Sequence, residues 1–166
     1  MRTTAMLVRA CLMFAAHAHA QSPSTPPSAD DFVKKVADSD MFEIQSSEIA
    51  LQKHADRDTR PFASKMVKDH TKTSKQLQSL VSSGRVKAEL PTTIDADHQR
   101  KLDELRGLNG KQFDEAYDKA QLEGHEEAVN LFRTYAQNGD NKDLQRWAAK
   151  TLPHLEHHLA MAEKLQ

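Results

Sequence analysis

The chain has a single cysteine, Cys11, and it falls within the first twenty residues. The rest can form no disulfide framework and no thiolate metal site, so any ligand set there must draw on nitrogen and oxygen. Also missing is an apolar run approaching the roughly 20 residues that a membrane-spanning helix requires. Charge of one sign is absent too, since 23 basic residues stand against 24 acidic ones. That balance argues against nucleic acid as a major partner, since backbone binding needs a strongly basic patch. The five glycines build no phosphate-cradling loop, and no nucleophile, base and orienting group recur at a recognisable spacing. Strand-like alternation is lacking throughout, which leaves helices as the means of burying apolar side chains.

The N-terminus has the pattern of a secretory signal. Met1 and Arg2 open a basic region, an apolar stretch follows from Ala5 to Ala16, and Ala18-His19-Ala20 supplies small residues before Gln21. Residues 1–20 are therefore expected to be a leader, cleaved to leave a mature chain without cysteine and without a transmembrane segment. That chain keeps 21 of the 23 basic residues and all the acidic ones, a formal charge of −3. Residues 21–29 begin with a proline- and serine-rich stretch and are expected to be a disordered lead-in. Residues 30–166 are long enough for one domain with its own core.

Apolar residues at three- and four-residue spacing predict four long helices. The first runs from about Asp30 to Ala55, on a stripe of Val33, Val36, Ala37, Ile44, Glu48, Leu51 and Ala55. The second starts near Thr59, with Pro61 in its first turn where a missing amide costs little, and ends at Gly84. The third covers about Gly110 to Ala136 and stops at Asn138-Gly139-Asp140, and the fourth covers about Asn141 to Leu165 with Pro153 inside it. Between the second and third lies a long connection holding a short helix near Ala96 to Leu105. Short connections elsewhere and this one long crossing predict an all-α, ferritin-like four-helix bundle, not a simple up-down-up-down one.

Polar residues interrupt these stripes. Glu48, His70, His125 and His158 fall on four different long helices. With the long connection crossing the bundle, they lie within roughly 9 Å of one another along its axis at about 1.5 Å rise per residue. Three imidazoles and a carboxylate are a ligand set for a transition metal such as iron, copper or zinc. His154, one turn before His158, is a further ligand candidate. A carboxylate-bridged di-iron pair calls for Glu-x-x-His, but Val67, Leu122 and Leu155 stand three residues before the histidines. A mononuclear site fits better. Lys65, Lys68, Lys72 and Lys75 form a basic run on the outer face of the second helix.

The chain resembles the DUF4142 family of secreted bacterial helical-bundle proteins. The resemblance rests on Asp31-Phe32-Val33 and Glu43 to Ala50, on Phe62-Ala63 followed by Met66-Val67-Lys68-Asp69-His70, on Gly110 to Tyr117 with His125, and on Thr151-Leu152-Pro153 with His158-Leu159. It implies a ferritin-like fold, export from the cytoplasm, and recurring family positions for His70, His125 and His158. Two departures stand out: Ser39-Asp40 replaces a usual glycine, and Leu122-Glu123-Gly124-His125 replaces a segment bearing methionine and an acid.

Three function classes remain open at this point. The leading one is transition-metal binding in the bundle core, serving metal handling or stress protection in the periplasm, with peripheral outer-membrane association included. The second is a non-enzymatic structural or interaction module that holds an envelope protein partner or a second copy as a homodimer. The third is a ferritin-like oxidoreductase. The sequence names no reaction, and a non-enzymatic role is the stronger expectation.

Overall fold

The computed structural model describes residues 26–53 and 55–166. The expected leader at 1–20 and most of the expected lead-in lie outside them. Among the described residues there are five helices and no strand: α1 (Ala29–Gln52), α2 (Thr59–Ser82), α3 (Ala96–Gly107), α4 (Gly110–Asn138) and α5 (Lys142–Ala162). None is long and apolar enough to cross a membrane.

Local chemistry sets the helix ends. Ser28 accepts a hydrogen bond from the Asp31 amide, Asp95 from the His98 amide, and Asn141 from the amides of Asp143 and Leu144, each satisfying donors that a helix start leaves free. At α2 the residue before the helix, Asp58, makes no such bond; Asp56 takes the amides of Asp58 and Thr59 instead. Pro153 sits inside α5 without ending it.

In the order α1, α2, α5, α4 each helix packs against the next, and α4 also packs against α1. Side-chain contacts give their directions. Ser47 meets Tyr117 while Phe32 meets Tyr135, so α1 and α4 run antiparallel. Asp69 meets His158 while Gln76 meets Trp147, so α2 and α5 do as well. The segment from α2 to α4 must therefore travel the length of the molecule. On the way α3 lies along α1, with His98 stacked on Phe42 and Lys53 bonded to the Arg106 carbonyl.

Two apolar clusters fill the interior. One gathers around Phe42, Phe62, Met66, Phe113 and Tyr117, and the other around Phe32, Leu77, Phe132, Tyr135 and Leu144. Burying each such side chain contributes roughly 1.5–3 kcal/mol. The buried polar residues Asp40, Glu43, His70, Gln121, His125, Thr151 and His158 belong to neither cluster. They form a polar layer between the two.

The α4–α5 corner depends on close approach. A Cβ added at Gly139 would lie 2.5 to 2.7 Å from ring atoms of Tyr135. That ring cannot move freely, because it stacks on Phe32 at 4.0 Å between centroids and its hydroxyl donates to Asp140. Gly139→Ala is expected to destabilise the fold by about 1–3 kcal/mol, the usual effect of overpacking, as read from denaturant midpoints.

Candidate metal centre

His70 comes from the middle of α2, His125 from the middle of α4 and His158 from the last turns of α5. All three are at most 3% exposed. Their ring centroids are separated by 5.6 Å (His70–His125), 5.6 Å (His70–His158) and 5.5 Å (His125–His158), a nearly equilateral triangle. A nitrogen from each ring lies within 4.8 Å of one from each of the others. An ion held by three imidazole nitrogens at about 2.0–2.1 Å, at tetrahedral to trigonal angles, would place the centroids about 5.2–5.5 Å apart. The observed spacings of 5.5 to 5.6 Å stand at the upper edge of that range.

Each ring is anchored on its outer side. His70 Nδ1 lies 2.7 Å from Asp40 Oδ1, His125 Nδ1 is 2.8 Å from the Gln121 carbonyl, and His158 Nε2 is 3.0 Å from Asp69 Oδ2. A backbone carbonyl and carboxylate oxygens accept, so these three nitrogens carry the protons. In the neutral rings the lone pairs then belong to His70 Nε2, His125 Nε2 and His158 Nδ1. Those same three atoms are buried and have no hydrogen-bond partner. An unpartnered buried polar atom ordinarily costs about 1–3 kcal/mol. Outer oxygen acceptors that fix the tautomer and leave the inner nitrogen free are the usual support of metal-bound histidine.

The anchors are themselves held. Asp40 also accepts from Thr73 and Ser74, and Asp69 is shared between His158 and Lys65. Glu43 adds a fourth buried side chain, 2% exposed, with Oε1 4.0 Å from His125 Nδ1 and Oε2 lacking any partner. It fits because residue 124 is glycine: a Cβ there would stand 3.1 Å from Glu43 Oε1.

The expected site is thus brought together in part. His70, His125 and His158 meet, but Glu48 is exposed and Glu43 takes the inward position on α1. The expected stripe passed through Ile44 and Glu48, whereas the buried face runs through Val33, Val36, Asp40, Glu43, Ser47 and Ala50. Its middle is polar, and an apolar pattern slips past such a stretch to the neighbouring Ile44. His154 is also exposed and lines an opening between α2 and α5. Asp40 and Asp69 escaped notice as site residues, although the spacing of Asp40 and Glu43 and the adjacency of Asp69 to His70 were signals for them.

The electrostatics separate the three rings. Burial opposes charge on His70, yet its bond to Asp40 and the negative charges of Asp40, Glu43 and Asp69 raise its pKa. Burial lowers that of His125, aided by His70 and opposed by Glu43. For His158, burial and then the His70 charge bring it down to about 3 against the pull of Asp69. The surroundings thus favour the charged form of His70 and the neutral forms of His125 and His158.

A depressed His158 means that the folded chain binds fewer protons than the unfolded chain between about pH 3 and the ordinary value of 6.5. Its stabilising contribution is complete above that window and is lost as pH falls through it; the raised pKa of His70 acts in the opposite sense, its contribution being lost as pH rises. Urea midpoints of the metal-free protein should therefore fall from pH 7 to pH 4, and His158→Gln should flatten the decline. A midpoint independent of pH would contradict this.

The description "Domain of unknown function (DUF4142)" matches the chain over residues 14–165. No curated protein and no solved structure matches it. With nearly the whole chain covered, the protein belongs to the DUF4142 family.

Proposed function

We propose that this domain is an exported, ferritin-like four-helix bundle whose central polar layer holds one transition-metal ion, for metal handling or stress protection in the cell envelope. The antiparallel pairings of α1 with α4 and of α2 with α5, and a connection that spans the molecule, support the bundle. The leader-like pattern before Gln21 supports export. The metal is supported above all by three buried imidazoles that bring one possible ligand atom each within 4.8 Å of the others, every ring having one nitrogen bonded to an oxygen and the other buried without a partner.

The donor set bears on the kind of ion. His70, His125 and His158 supply neutral nitrogens, and Glu43 supplies a nearby negative charge or a fourth ligand after a side-chain rotation. Such a set suits zinc, copper or iron in the divalent state and disfavours calcium or magnesium, which take oxygen ligands. The site carries no Glu-x-x-His pair, so a bridged di-iron centre and its oxygen chemistry are not part of the proposal.

Elemental analysis of the chain from Gln21 to Gln166, purified without a histidine tag and washed after incubation with each metal, is expected to find one ion per chain. His70→Ala and His125→Ala should each abolish retention, and Glu43→Gln should weaken affinity about 10- to 100-fold. With the ion at 100 times its Kd, the fold should gain about 2.7 kcal/mol. Absence of retained metal under all conditions would refute the proposal and leave the layer as a structural polar network.

A further inference from the structure

The polar layer has two approaches from solvent, and they carry opposite charge. The first is a cleft of about 490 Å³ opening between α1 and α4 at the start of α3. Its charged lining residues are Lys35 and five carboxylates, those of Asp38, Asp40, Glu43, Asp95 and Glu127. The second is a cavity of about 250 Å³ between α2 and α5, bordered by Lys65, Lys72 and Lys150 with Asp69. Both reach His70.

At the rim of the first cleft stands another ligand-like group. Asp38, Asp95 and His98 bring one possible ligand atom each within 4.8 Å of the others. His98 Nδ1 lies 2.5 Å from Asp38 Oδ2 and 3.8 Å from Asp95 Oδ1. Asp95 is exposed and His98 partly so, which leaves the group open to an ion arriving from solvent. At the inner end of the same cleft are Glu43 and His70, whose Oε2 and Nε2 are buried without partners.

We propose that this acidic cleft is the route by which a divalent transition-metal cation reaches the three histidines, and that Asp38, Asp95 and His98 are its transit site at the rim. The proposal rests on the reading of the histidines as a metal centre. Clefts lined by one sign of charge raise the local concentration of the opposite ion, and their low-dielectric walls strengthen the effect. A hydrated cation arriving at the rim exchanges some of its water for two carboxylates and an imidazole. It then passes Glu43 to His70, the one of the three rings that lines this cleft, with the other two rings beyond it. The lysine-bordered opening repels the same ion.

Loading can be followed with cobalt(II) alone, whose visible absorption reports nitrogen ligation at the inner site, in stopped-flow mixing with the folded chain. The unaltered protein is expected to bind one cobalt. The double variant Asp95→Asn, His98→Gln should reach the same end point about 10-fold more slowly. Asparagine retains the capacity to cap α3, so its fold should persist. Glu127→Gln, which is remote from that cap, should also slow loading, and Lys35→Gln should speed it. Unchanged rates in the double variant and in Glu127→Gln, with full cobalt binding, would overturn the route while leaving the metal centre intact. So would faster loading of Lys150→Gln with no effect from the acidic variants. If the unaltered protein binds no cobalt, the metal centre and its route fail together.

Discussion

A buried imidazole has two nitrogens to satisfy, and the structure provides for only one of them on each of three rings. Asp40, the Gln121 carbonyl and Asp69 accept from one nitrogen of each ring, and the other nitrogen is buried without a partner. Three such nitrogens close together in the interior are costly to leave unsatisfied. Much of the middle of the molecule follows from that constraint. Carboxylates stand nearby, Asp40 held by Thr73 and Ser74 and Asp69 by Lys65. The two apolar clusters lie on either side and supply the hydrophobic stabilisation that a polar layer cannot.

The same constraint explains residues that look anomalous one at a time. An aspartate 4% exposed in the middle of α1 would be a defect in an ordinary amphipathic helix. Here it receives His70, Thr73 and Ser74 and fixes the tautomer of the ring. Gly124 leaves room for Glu43 on the facing helix, where any side chain would crowd it. Neither residue is explained by helix propensity, and both are explained by the centre. The two openings to the surface differ in charge, one lined mainly by carboxylates and the other bordered by three lysines.

The helices were legible because their signals are local. Pro61 near the start of α2, Asn138-Gly139-Asp140 after α4 and the long segment between Gly84 and Gly110 punctuate the chain strongly enough to place its elements and its crossing connection. His70, His125 and His158 were legible because each is a polar residue at an otherwise apolar position. Glu43 and Asp40 were not, because α1 buries a polar stretch where hydrophobic periodicity has no foothold, and the pattern drifted to Ile44 and Glu48. The capping of α2 by Asp56, three residues before Thr59, depends on loop geometry that spacing alone does not specify. The rim group of Asp38, Asp95 and His98 joins residues far apart in the chain, and only the docking of α3 along α1 unites them.

The central claim is that three imidazoles coordinate one ion through their inner nitrogens. X-ray absorption fine structure of the chain loaded with one equivalent of zinc tests it most directly, because imidazole rings give a characteristic multiple-scattering pattern. The account predicts three imidazoles with zinc–nitrogen distances of about 2.0–2.1 Å and one further light-atom ligand. A first shell made wholly of oxygen, or one whose imidazole signal survives His70→Ala and His125→Ala together, would contradict it.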